Sequence, residues 1–244
     1  YISFIDSDDI IAPTFLSSHL EYIKKTNADV SICSFSLMDE DGGLHQHQHP
    51  LSDRTFGGEE YINLIFSKKE WDKGSGAGGM VWKQLYRANA IHSIRFSEDP
   101  SIVEDELFGV MVAQKAKIFA YFPEPLYFYR QSNTSLCKDE YFQLGRLNGR
   151  KLCLNSCENV SEIARLVVFS SYMESILSLM KQETLDIDLN PYKSLAIQAY
   201  HSGAMSWKTF FLFSLFNSYT ILSKAYICLR ASFRKLRCFL RLRV

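Results

Sequence analysis

Residues 1–13 read YISFIDSDDIIAP: a mostly apolar run, Ile2 to Ile5, delivers Asp6, Asp8 and Asp9 within four positions before the chain turns apolar again at Ile10 and Ile11. Carboxylates so close repel one another. A chain that spends a buried-looking strand on them has a cation to hold. The run lacks the polar alternation of a half-exposed strand, so Ile2–Ile5 is expected as a short strand of a parallel sheet. In open α/β sheets, ligands bind beyond the carboxyl ends of the strands. Asp6 and Asp8, two apart, offer the hard oxygen ligands that suit Mg²⁺ or Mn²⁺. An EF-hand does not fit: counted from Asp6, its glycine position holds Ile11 and its bidentate glutamate position holds Ser17. Read alone, the cluster also fits a plain helix cap by Asp6 or Asp9.

Working outward, Pro13 suits the first turn of a helix ending near Lys25, with Asn27 and Ala28 breaking it. Val30–Leu37 is the next strand, and strand–helix–strand is the βαβ pattern of an α/β sheet. MDEDGGL predicts a hairpin turn returning through Leu44–His49. Helices are expected at 58–69 and from Glu104 to Lys115, the second with acids in its first turn, where the helix dipole favours them. Ile118–Phe122 and Leu126–Tyr129 read as two strands split by Pro-Glu-Pro, and from Asp139 the pattern is helical. KGSGAGG (73–79) is expected as a flexible loop. His45, His47 and His49 would share one face of a strand, as a transition-metal site or as a wet hairpin tip.

The chain has 244 residues and no net charge, but the balance is uneven. Residues 1–188 carry all 27 acids and 18 bases, and residues 189–244 carry nine bases and no acid. Six cysteines form no CxxC pair, which predicts free thiols in a reducing compartment. In the tail, Leu222, Leu229, Phe233, Leu236 and Leu240 share one side of a helical wheel, flanked by Arg230, Arg234, Arg237 and Arg241. The uncharged stretch between Lys208 and Lys224 is fifteen residues long, short for a spanning helix. An amphipathic helix on an anionic membrane surface fits better, and no nucleic-acid motif accompanies the charge.

Three further stretches can carry chemistry. SIVEDELFG (101–109) sets Glu104 and Asp105 at a loop-to-helix junction, where a carboxylate can take a proton from an attacking hydroxyl. AGGMVWKQLYRANAI (77–91) puts Trp82, Lys83 and Tyr86 after a glycine loop, as sugar- or base-contacting groups. PEPLYFYRQSNTSL (123–136) offers Arg130, which can neutralise a diphosphate.

In this order, FIDSDD, a hairpin, VWKQLYR, VEDELFG and PLYFYRQSNTSL, the chain resembles family 2 glycosyltransferases of the bacterial capsule, exopolysaccharide and lipopolysaccharide type, over residues 1–136. The resemblance implies an α/β fold, a GT-A (Rossmann-like) core here lacking its N-terminal nucleotide-binding half, followed by a mainly helical C-terminal region. The expected division is 1–136 for the transferase core, 137–204 for a helical extension and 205–244 for the basic membrane-associating tail. It further implies Asp8 and Asp6 as ligands of Mn²⁺ or Mg²⁺ on the diphosphate of a nucleotide-sugar, a UDP-sugar in the first instance. Asp105 is then the base, with Glu104, Trp82, Lys83, Tyr86 and Arg130 at the substrate. The reaction is an inverting, single-sugar (hexosyltransferase-type) transfer to a glycan or lipid-linked acceptor at the inner face of the cytoplasmic membrane. The absence of a Q-x-x-R-W motif favours a non-processive enzyme. Two alternatives are carried: a non-catalytic transferase remnant, and a haloacid-dehalogenase-like phosphatase. The phosphatase fits poorly, because Ile10 stands where a Thr or Val is expected and no second Asp pair follows Asp9.

Overall fold

The computed structural model describes residues 1–46, 52–66, 80–131, 140–182 and 187–217. Its centre is a pair of parallel strands, β2 (Val30–Met38) and β6 (Phe119–Arg130), distant in sequence and paired along their length. Short antiparallel strands flank the pair: β1 (Ile10–Ile11) and β4 (Arg54–Phe56) on β6, and β3 (Leu44–Gln46) and β5 (Gln84–Tyr86) on β2. The sheet is therefore mixed and six-stranded.

Helix α1 (Phe15–Thr26) covers one face. Its buried residues Phe15, His19 and Ile23 recur every four positions, the spacing of a single helical stripe. Asn27 ends it in the left-handed conformation (φ 52°), which asparagine tolerates better than most residues. The other face takes α2 (Gly58–Phe66) and α4 (Asp105–Lys115), with the single turn α3 (Ala88–Ile91) between them in sequence. The β2–β3 hairpin closes through Gly42 at φ +85°, a conformation that only glycine adopts at no steric penalty.

Beyond β6 the chain is helical: α5 (Glu140–Asn155), α6 (Glu162–Lys181), α7 (Lys193–His201) and α8, described over 207–217. Cys153, Ala164, Val167 and Val168 pack in one cluster with Val30, Tyr61 and Phe119, so the core runs continuously from the sheet into α5 and α6. Glu162–Met180 is long and apolar enough to cross a membrane, but 72% of that stretch is buried inside the protein, and α6 is a core helix. Cys33, Cys153 and Cys157 are free buried thiols.

The sheet departs from expectation in two places. Ile2–Ile5 is not a strand: Ile2 makes a single bridge to Tyr86, and Phe4 turns into an aromatic cluster with Tyr86, Phe96 and Phe108. The strand is the next dipeptide, Ile10–Ile11, antiparallel to β6, so β1–α1–β2 is not a parallel crossover. Pro-Glu-Pro does not split the second pair of strands either. Val30 to Met38 is eight steps along β2, while the paired stretch Phe119 to Arg130 is eleven along β6, three more. The excess is absorbed as a bulge between Tyr121 and Tyr127. It inverts the alternation. Phe119 and Tyr121 lie in the cluster with Tyr61, whereas Tyr127 lies with Phe15, Phe35 and Trp82. Residues 67–79, including the expected glycine loop, together with His47, His49 and the arginine-rich tail, lie outside the described residues.

Candidate active site

The aspartate cluster sits in a turn between the Ile2 bridge and β1, closed by Asp9 N–H on the Asp6 carbonyl at 3.2 Å. One end of the turn is tied to β5: Ile2 and Tyr86 exchange backbone hydrogen bonds of 3.0 and 2.9 Å, and Ser3 Oγ donates to the Gln84 carbonyl at 2.8 Å. Phe4, edge-on to Phe108 of α4, fixes the turn against the start of that helix. The other end is tied to β6. Tyr127 Oη donates to Asp9 Oδ2 at 2.6 Å, the Arg130 backbone N–H donates to Asp9 Oδ1 at 2.8 Å, and Arg130 Nε donates to the Asp8 carbonyl at 2.8 Å. The three carboxylates thus have different settings. Asp9 is consumed by the scaffold, while Asp6 and Asp8 are exposed. Asp9 does not cap α1, whose N-cap Thr14 makes no side-chain capping bond.

Across from this turn, α4 begins at Asp105, which is half-buried. Burial, then the charges of Glu104, Asp6 and Glu106, push its carboxyl up to about 7, against a backbone hydrogen bond from Val81. Asp6 is raised as well, by partial burial and by Asp9, Asp8 and Glu104. Asp6 and Asp105, far apart in sequence, therefore sit within each other's field at one end of the sheet. Among the described residues no three of His, Cys, Asp and Glu converge as a ready metal cage.

The aromatic and basic residues expected at the substrate are placed differently. Trp82 is 5% exposed and stacks on Tyr127 and Tyr129, with ring centroids 4.2 and 5.4 Å away. Lys83 is 1% exposed, with Nζ 5.1 Å from the Phe35 ring centroid, and burial pulls its ammonium down to about 7. Tyr86 is fully buried, and its hydroxyl has no partner among the described residues. The expectation that these three meet substrate does not match this placement. A 3₁₀ turn at Val81–Lys83 running straight into β5 turns six consecutive side chains inward. Arg130 stays at the site, bound to Asp8, and Glu104 stays beside Asp105 without capping α4. Sequence reasoning missed Tyr127, the anchor of Asp9. Its only signal was an aromatic two residues inside the end of the expected strand Leu126–Tyr129, just before Arg130.

No protein-family model matches the chain. It is 30% identical over 137 residues to the Bacillus subtilis (strain 168) protein named "Putative glycosyltransferase EpsH", covering 53% of this chain and 37% of that protein. It superposes on S. aureus TarS 1–349 in complex with UDP-GlcNAc with a TM-score of 0.54 at 15% identity, over 85% of this chain and 58% of TarS 1–349. The same TarS region in complex with UDP gives 0.51 at 16% identity, covering 82% of this chain and 54% of the other. The fold is that of TarS 1–349. The chain spans little more than a third of the curated relative's length and under three-fifths of TarS 1–349. The α/β class expected from the sequence agrees with this fold.

Proposed function

We propose that this chain carries the catalytic face of a glycosyltransferase that moves one sugar from a nucleotide-diphospho-sugar to a glycan or lipid-linked hydroxyl, with inversion, in cell-surface polysaccharide synthesis. The observation that carries the reading is the pairing of Asp6 with Asp105: a half-buried carboxyl raised to about 7 faces a turn of exposed carboxylates. A base works best when its pKa lies near the working pH. Asp105 takes the proton of the acceptor hydroxyl as its oxygen attacks the anomeric carbon, and the nucleoside diphosphate leaves from the opposite side. Arg130, held at the Asp8 carbonyl, is the cation placed to meet diphosphate oxygens. The UDP and UDP-GlcNAc bound by TarS make a UDP-sugar the first donor to test.

Asp6 and Asp8 would hold Mn²⁺ or Mg²⁺, and two exposed carboxylates suit an ion that takes its remaining oxygens from substrate phosphates and water. Such an ion offsets charge on the departing diphosphate. At the other end of the chain, Trp207, Phe211 and Leu215 recur every four residues on α8 and are 64%, 59% and 52% exposed. With the arginines that follow in the sequence, they support a peripheral position on the anionic inner face of the cytoplasmic membrane. The experiment is titration of the protein with UDP and Mn²⁺, beside Asp8→Ala, followed by UDP release from a panel of UDP-sugars with Asp105→Asn as control. Metal-dependent binding lost in Asp8→Ala, and turnover lost in Asp105→Asn, are expected. Binding that ignores both the metal and Asp8 overturns the reading.

A further inference from the structure

Helix α5 contains Gly145-Arg146-Leu147-Asn148-Gly149-Arg150, a Gly–Arg pair repeated four residues on. That spacing stacks the glycines on one helical face and the arginines beside them. The glycine face lies on residues 101–103, the loop that leads into Glu104 and Asp105. Val103 N–H donates to the Gly145 carbonyl at 3.0 Å, and Asn148 Nδ2 donates to the Ser101 carbonyl at 3.2 Å. A Cβ on Gly149 would stand 2.5 Å from the Val103 carbonyl oxygen, so helix and loop meet backbone to backbone.

The arginines reach past the loop to Glu106, the residue after Asp105. Arg150 grips it with two bonds, Nε to Oε2 at 2.8 Å and Nη2 to Oε1 at 2.8 Å, and Arg146 Nε adds a third to Oε1 at 3.1 Å. Glu106 is 6% exposed. Burial pushes its carboxyl up, and the two guanidiniums outweigh this and hold it below the ordinary value. Arg150 is itself fixed to α6, donating to the Ser171 carbonyl at 3.1 Å and to Ser175 Oγ at 2.9 Å. No side-chain cap secures the start of α4; these contacts hold its first turn together with the packing of Phe108 and the backbone hydrogen bond from Val81 to Asp105.

We propose that Arg150 is a positioning residue for Asp105: gripping Glu106 while α5 clasps the 101–103 backbone, it fixes the first turn of α4 and so aims the base. This rests on the reading of Asp105 as the base. The physical ground is that a bidentate Arg–carboxylate pair sets orientation as well as distance. A catalytic group displaced by about 1 Å can lose about 10²-fold in rate.

The test uses the full-length protein with Arg150→Lys and Arg150→Met, each alone and with Asp105→Asn. UDP affinity in Mn²⁺ and kcat for UDP release from the best UDP-sugar are measured. The expected result is a fall in kcat of about 10- to 100-fold, larger for Met than for Lys, with UDP affinity unchanged and no further fall on the Asp105→Asn background. An unchanged kcat in the single variants overturns the proposal. So does an equal loss on the Asp105→Asn background, or a parallel loss of UDP affinity. Should Arg150→Met not fold, the Lys variant carries the same comparison. If Asp105→Asn alone turns over normally, the base reading fails first, which separates the two.

Discussion

Tyr127 Oη donates to Asp9 Oδ2 at 2.6 Å, and through that bond the third aspartate of the opening cluster belongs to the sheet rather than to a ligand. Tyr127 is itself fully buried, with its ring stacked on Trp82. Asp9→Ala removes the acceptor for that hydroxyl and for the Arg130 N–H, and is expected to lower stability by about 1–3 kcal/mol in urea unfolding. Asp8→Ala, at an exposed position, is expected to leave the unfolding midpoint in place and abolish metal-dependent UDP binding. If both variants lose stability alike, the division of labour is wrong.

Asp105 makes pH a direct probe. The base must be ionised, and its carboxyl sits at about 7, so kcat/KM is expected to rise with pH along an acidic limb centred near 7. Stability runs the opposite way. A carboxyl whose folded value lies above its unfolded 3.8 binds its proton more tightly when folded, so its stabilising effect is complete below about 4 and is lost as pH rises through about 7. Asp105→Asn, with no charge to bury, should match wild type near pH 4 and exceed it above pH 7 by about 1 kcal/mol or more. Chemical denaturation at both pH values measures this.

The two glycines of α5 give a paired contrast. A Cβ at Gly145 meets nothing closer than 3.6 Å, whereas at Gly149 it meets a backbone oxygen at 2.5 Å. Gly145→Ala is expected to be neutral or to stabilise by up to about 1 kcal/mol through helix propensity. Gly149→Ala must push the 101–103 loop away, lowering both thermal stability and UDP release.

His19 predicts an acid limit for the fold. Its Nδ1 lies 2.6 Å from Ser31 Oγ, its Nε2 is buried without a partner among the described residues, and burial pulls its pKa down to about 3. A depressed histidine adds stability above its unfolded value of 6.5 that is lost as pH falls toward about 3. Wild type should therefore lose about 1.4 kcal/mol per pH unit below 6.5 that His19→Asn does not lose. Equal slopes in urea unfolding from pH 7 to 5 would remove His19 as the cause.

The site was legible where chemistry and periodicity coincide. Asp105 at the head of a helix and the Val30–Met38 strand with its Asp-Gly-Gly hairpin were both readable, because polarity switches sharply there. Other features depend on partners distant in the chain. Ile2–Ile5 has strand composition, but Phe4 is drawn off by Phe96 and Phe108, and only one residue of the run pairs. Lys83 looks like a ligand-facing cation until the neighbours that bury it, Phe35 and Trp82, are known. Glu106 read as one more acid for the helix dipole, since Arg146 and Arg150 lie far down the chain.

The bulge in β6 makes the aspartate turn depend on a stretch that is itself core. Past it, Tyr127 is paired with Phe35 and shares that residue's side of the sheet, where its hydroxyl meets Asp9. Within it, Phe122 and Leu126 are buried, Phe122 is stacked on Tyr22, and the Leu126 carbonyl accepts from the Ala12 N–H at 2.9 Å. A substitution that loosens either side chain is thus felt at the carboxylates, although neither residue lies among them.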